Sequence, residues 1–238
     1  MRRNNIIGSF ASICLLFTLT VSAAETGKKL GAQGKIYELN SPALNASESI
    51  SVEASLQIDP NCPAGARIFD KWAAGSKEGC RLEVGKNGTL QFITTAPQVC
   101  EAKLDLAHVS HVVAIFNPRR LIAELYVDGK LAASVPAPAS ARWTVPHTTI
   151  PLRLGADQDG ANRFVGTISQ FAVYDRTFTA EQIAEHFEKT NSLAGLIGEW
   201  RLAAAAGDGI QPSSGNATLS VPLEIQSSTA PAASPLTL

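Results

Sequence analysis

The sequence predicts an all-β chain: one sandwich domain with a single short amphipathic helix, preceded by a secretory signal. Three observations carry this. Short β-branched or alternating runs recur with turn residues between them, and many strands at close spacing indicate a sandwich or barrel. Asn87-Gly88 and Asp128-Gly129 supply the positive φ angles of tight hairpins. A capping box, Thr179-Ala180-Glu181-Gln182, opens the one clear helix.

The elements follow in chain order. Arg2 and Arg3 precede an apolar run from Ile6 to Val21, the charged start and apolar stretch of a signal peptide. The run is short for a bilayer span, which needs about 20 apolar residues. Small residues offer cleavage after Ala23 or Ala24, and Ala23 is preferred, making 1–23 the signal. The expected location is therefore secreted or periplasmic, with no membrane span after cleavage.

Strands are expected over Ser49 to Ile58, Arg67 to Trp72, Cys80 to Lys86, Thr89 to Thr95, Val109 to Phe116, Leu121 to Val127, Lys130 to Val135, Thr149 to Leu154 and Phe164 to Tyr174. In the hairpin around Asn87-Gly88, Leu82, Val84, Leu90 and Phe92 alternate with polar residues, so one face is buried and the other wet. In the helix, Thr179 caps the first turn, Ile183 and Phe187 share a face, and Asn191 and Gly195 mark the end. It is expected to lie as a lid on the sheet edge with His186 on the surface. The sandwich is placed at 28–219. Beyond it, 220–238 is rich in Ser, Thr, Ala and Pro and reads as a flexible tail.

Three cysteines follow the signal: Cys62, Cys80 and Cys100. Exported cysteines usually pair. If the 80–86 and 89–95 strands form a hairpin, Cys80 and Cys100 fall near its same end, so a Cys80–Cys100 disulfide is expected. Three free thiols are the alternative, because connectivity does not follow from sequence.

Composition narrows the partners. The formal charge is −1 and becomes more acidic once Arg2 and Arg3 are removed. No basic patch stands out, which argues against nucleic acid and anionic membrane surfaces.

The stretch Leu152 to Ile168, followed by Phe171 to Ile183, resembles the closing strands and helix of laminin-G-like, concanavalin A-like lectin/glucanase domains. Tyr37 to Ala54 is similar to the family's opening edge strand. Ile68 to Trp72, Gly79 to Val84 and Leu125 to Leu131 occupy the expected central places, so the resemblance covers roughly 30–190. It implies a jelly-roll β-sandwich. The chain departs from the family at Ser169-Gln170, where an acidic pair is usual, and at Val109-Ser110-His111, where a tryptophan-histidine start is usual. The family's usual first strand has its counterpart at the C-terminal end, in Leu196 to Leu202 and Ser213 to Asn216. The resemblance therefore implies a permuted order, with the C-terminal strand folding back into the same sandwich; a truncated second repeat is the rival.

The candidate metal ligands are Asp157, Asp159 and Asn162, in an acidic turn offering oxygens of the kind Ca²⁺ prefers; the alternative is a plain turn bonding to its own backbone. The candidate ligand-binding residues are Trp143 and Trp72, because sugar rings stack on indole faces; ordinary packing is the alternative for both.

Catalysis finds little support. Glucanases of this fold place carboxylates alternately along one strand, as acid and nucleophile must stand about 5–5.5 Å apart. No strand here has that pattern, and Glu124 and Asp128 belong to a hairpin turn. His108, His111, His147 and His186 show neither zinc spacing nor a companion motif. A nucleophile elbow and a phosphate-binding glycine loop are both missing. The expected function is a non-catalytic binding module for extracellular or cell-envelope polysaccharide, with calcium as a candidate cofactor. The alternative is a structural or adhesion domain binding an envelope protein, and a glycan-active hydrolase ranks below both. Asn45, Asn87 and Asn216 are sequons, modified only in a eukaryotic secretory path.

Overall fold

Alternation of inward apolar and outward polar side chains generates two antiparallel sheets packed face to face. The computed structural model describes residues 28–30, 36–46, 49–73, 79–94, 98–117, 119–136, 150–189, 191–202, 209–210, 214–215 and 219–220. The elements are β1 (Lys28–Leu30), β2 (Tyr37–Leu39), α1 (Pro42–Ala46), β3 (Ile50–Ile58), β4 (Arg67–Trp72), β5 (Gly79–Val84), β6 (Leu90–Thr94), β7 (Gln98–Ala102), β8 (Ser110–Asn117), β9 (Ile122–Val127) and β10 (Lys130–Pro136). They continue as β11 (Leu152–Leu154), β12 (Gly166–Tyr174), α2 (Ala180–Lys189), β13 (Leu196–Arg201), β14 (Gly209–Ile210), β15 (Ser214–Gly215) and β16 (Leu219–Ser220). The first sheet runs β10-β9-β8-β3-β12-β13-β15, with β1 also on β12; the second runs β14-β16-β2-β11-β4-β5-β6-β7.

The core lies between the sheets. Val52, Ala54 and Leu56 of β3 and Val112, Ala114 and Phe116 of β8 meet Phe69, Leu82 and Phe92 from the second sheet. In β12 the pairing with β3 slips between Ile168 and Gln170. This one-residue irregularity reverses the alternation, so that Ile168, Phe171 and Val173 can all face the core.

The C-terminal strand is part of the sandwich. β13 pairs with β12, placing Trp200 opposite Phe171. Trp200 is fully buried and stacks on Phe171 with ring centroids 6.0 Å apart. β1 occupies the adjoining stretch of the same β12 edge, opposite Gly166 to Ile168. Segments from the two ends of the domain thus meet on one strand, the arrangement a permuted order requires.

Five expectations are corrected. Tyr37 to Ala54 is not one edge strand: β2 lies in the second sheet, β3 is central in the first, and α1 stands between them. The turn after β5 is a three-residue loop, Lys86–Gly88, rather than a two-residue one, because Val84 pairs with Leu90 and the Gly85 amide donates to the Thr89 carbonyl at 2.7 Å; Asn87 and Gly88 do adopt positive φ.

Cys80 and Cys100 do not pair, and Cys62, Cys80 and Cys100 are all free thiols. β6 runs between the two, with Cys80 opposite Thr94 and Cys100 opposite Phe92. Two interstrand steps are about 9.6 Å. A disulfide tolerates Cα separations only to about 7 Å. Burial instead pushes both thiols up to about 12, leaving them inert.

The helix covers the outer face of the first sheet, not its edge. The capping box forms as expected: Thr179 N–H donates to Gln182 Oε1 at 2.9 Å, and Gln182 N–H to Thr179 Oγ1 at 3.3 Å. Ile183 packs on Val113, Ile115, Tyr126, Ala172 and Tyr174, the outward side chains of that sheet. Its buried neighbour on the helix is His186, while Phe187 is left exposed. His186 is therefore not a surface histidine. Its Nε2 meets Glu53 Oε1 at 3.1 Å, and its Nδ1 donates to the carbonyl of Asn191. His111 Nε2 reaches the same Glu53 oxygen at 2.9 Å, and Tyr174 donates to Glu53 Oε2 at 2.8 Å. Burial acts to raise the Glu53 pKa, but the hydrogen bonds and charge of His111 and His186 outweigh it and hold the group at about 2.

Candidate functional site

The outer face of the second sheet carries the best candidate. Because Phe69 and Leu82 point inward, Asp70 and Trp72 of β4 and Arg81 and Glu83 of β5 point outward. Register places Asp70 opposite Arg81. The loop between β11 and β12 folds over this patch, and Arg67, Asp70, Trp72, Arg81, Asp157, Gln158 and Asp159 line a shallow cleft of about 130 Å³. That is well below the roughly 300 Å³ at which enclosed small-molecule pockets begin. The cleft suits part of an extended ligand lying across the surface.

Its walls are held by a polar network. Gln158 donates to Asp70 Oδ1 at 3.0 Å, to the Asp70 carbonyl at 2.9 Å and to the Pro151 carbonyl at 3.2 Å. The Trp72 amide donates to Asp70 Oδ1 at 3.1 Å. Arg153 reaches up from β11 to the Gln158 carbonyl. Arg67 and Arg81 both bond Glu83 Oε2, the latter at 2.8 Å. Burial raises the Asp70 carboxyl above its usual range, against the lowering from Gln158, the Trp72 amide and the arginines.

At the mouth, the Arg81 guanidinium lies 4.4 Å from the Trp72 ring centroid, a cation–π contact that fixes both side chains. Nε of Arg81 donates to Glu83. Among the described residues, its terminal nitrogens and the exposed Asp159 carboxylate have no hydrogen-bond partner. The site thus sets an indole beside a guanidinium and a carboxylate.

Three sequence-predicted residues meet here: Trp72, Asp157 and Asp159, far apart in sequence, share the cleft, and Asn162 closes the turn beside it. Trp143 lies outside the described residues. The turn itself is closed by its own bonds: Asp157 Oδ1 accepts from the amides of Asp159 at 3.0 Å and Ala161 at 2.8 Å, and Oδ2 from the Asn162 side chain at 2.6 Å. Asn162 and Gly160 take positive φ to complete it. The three donors that point into Asp157, the Asn162 side-chain amide among them, organise this stretch as a turn. Sequence reading passed over Arg81, Asp70 and Gln158, although outward alternation on a strand beside Trp72 was a usable signal for the first two.

The sequence pattern of the concanavalin A-like lectin/glucanases superfamily matches residues 31–184. The chain belongs to that superfamily. No curated protein sequence matches it. Among solved structures it is similar to a Bacteroides ovatus ATCC 8483 protein described as carbohydrate binding, with TM-score 0.65 and 15% identity over 82% of this chain and 57% of that one. It is also similar to the heptameric SAP-like pentraxin of Limulus polyphemus, with TM-score 0.51 and 12% identity over 82% of this chain and 93% of that one. A third likeness is to NanB solved with Optactamide, with TM-score 0.56 and 15% identity over 71% of this chain and 27% of that one. This superfamily member spans little more than half the length of the Bacteroides protein, and at these identities the likeness is one of fold.

Proposed function

We propose that this superfamily member is an exported, lectin-like module that binds extracellular or cell-envelope polysaccharide through the outer face of its second sheet. The observation that carries the reading is the pairing of Trp72 and Arg81 at the mouth of the cleft, beside the Asp159 carboxylate. A sugar has an apolar C–H face and a rim of hydroxyls. The first is matched by an indole, the second by a guanidinium fork and a carboxylate. The similar fold described as carbohydrate binding supports the same reading. The signal at 1–23 supports export.

Two experiments test the proposal. A polysaccharide and glycan array probed with the purified chain should give hits that weaken when Arg81 is replaced by alanine; silence across a broad array would refute carbohydrate binding and turn attention to envelope proteins. N-terminal sequencing of the chain recovered from outside the cytoplasm should begin at Ala24; an intact Met1 would refute cleavage.

A further inference from the structure

We propose that Glu53, His111 and His186 form a binding site for a divalent transition metal, Zn²⁺ in the first instance, between the outer face of the first sheet and α2. These groups come from three elements. Glu53 and His111 project outward from the paired strands β3 and β8, and His186 descends from the helix that covers them. One ligand atom from each residue falls in a group whose members all lie within 4.8 Å of one another.

The geometry is close to that of a bound ion. Zinc bonds to nitrogen and oxygen of about 2.0–2.1 Å in a tetrahedron imply ligand–ligand edges of about 3.3–3.4 Å. Glu53 Oε1 lies 2.9 Å from His111 Nε2 and 3.1 Å from His186 Nε2. Those two edges are within a few tenths of an ångström of the zinc value, and the two histidine nitrogens lie within 4.8 Å of each other. Two histidines and a glutamate are one of the zinc sets that leave a fourth position for water.

Two of the three ligands are also oriented from outside, as metal ligands usually are, whereas His111 Nδ1 is buried with no hydrogen-bond partner among the described residues. His186 Nδ1 faces the Asn191 carbonyl, and Glu53 Oε2 accepts from the Tyr174 hydroxyl at 2.8 Å. Both His186 nitrogens face acceptors, a carbonyl and a carboxylate. An imidazolium satisfies both, and so does a metal ion at Nε2 with Nδ1–H kept on the carbonyl. Access is from the histidine side: the Glu53 side chain is 1% exposed, against 13% for His111 and 10% for His186. Phe187 flanks His111 there, ring centroids 5.4 Å apart.

The site lies on the opposite sheet from the proposed sugar cleft, so either proposal can fail alone. The full chain, stripped with a chelator, should take up one Zn²⁺ by calorimetric titration and raise its melting temperature. Co²⁺ should give the visible absorption of a low-symmetry nitrogen–oxygen site. H111A and H186Q should each weaken binding at least tenfold, the glutamine being chosen because it can still reach Glu53 and keep the helix docked. A folded wild-type chain that shows neither metal-dependent heat nor Co²⁺ absorption would overturn the proposal. So would H111A and H186Q variants that bind as tightly as the wild type, which would place the metal elsewhere.

Discussion

Replacing Trp200 by alanine tests whether the C-terminal strand is structurally part of the sandwich. Trp200 is fully buried, lies opposite Phe171 on the neighbouring strand and stacks on it at 29° between ring planes. Truncating a buried tryptophan costs about 3–5 kcal/mol, because transfer and cavity terms add. Domains of this kind are stable by only about 5–15 kcal/mol. With a urea slope of about 2 kcal/mol/M, the midpoint should fall by about 2 M. Phenylalanine at the same place should recover much of the loss: it keeps a ring against Phe171 and removes a buried indole N–H that has no hydrogen-bond partner among the described residues. The assay is urea unfolding followed by far-UV circular dichroism. A W200A unfolding free energy within about 0.5 kcal/mol of wild type, the range of an ordinary surface change, would detach β13 from the core.

Other outcomes follow from the same structure. Asp70→Asn should raise the urea midpoint near neutral pH, because a carboxyl whose folded pKa is raised favours the folded state only at low pH and loses that contribution as pH rises through the raised value; the gap should close by about pH 3, and a less stable variant at neutral pH would contradict it. Gly129→Ala should cost about 1–2 kcal/mol for the positive φ alone, and more because its new Cβ would stand 3.0 Å from Phe187; a neutral result would show that α2 is not held against the turn. Alkylation of the denatured chain without reductant should label Cys62, Cys80 and Cys100 alike, whereas a Cys80–Cys100 cross-linked peptide would contradict the strand register.

Local patterns explain which parts of this fold were legible. Strand alternation located Arg67 to Trp72, and the Asp128-Gly129 and Thr179–Gln182 signatures marked a tight turn and a helix start, because each depends on residues within a few positions of one another. β7 was passed over: Val99, Cys100 and Ala102 make too short and mixed a run to register as a strand, and it exists because Phe92 and Leu90 of β6 need a partner beside them. Missing β7 also hid the fact that β6 separates Cys80 from Cys100. The family resemblance extended the opening strand through Pro42 to Ala46, where the chain in fact crosses between sheets. The Glu53–His111–His186 cluster had no sequence signature at all. Its members are brought together by the pairing of β3 with β8 and the docking of α2, at separations no spacing rule covers. The candidate cleft was half visible, since Trp72 and the Asp157 turn each stood out locally while their meeting did not.

Trp72, on the outer face of the second sheet, is the proposed contact with polysaccharide, and the affinity of Trp72→Ala for a polysaccharide that the wild-type chain binds tests it, with thermal unfolding as the folding control. At least a tenfold loss, about 1.4 kcal/mol, is expected, with a melting temperature close to wild type. Unchanged affinity in a folded Trp72→Ala chain would rule the contact out.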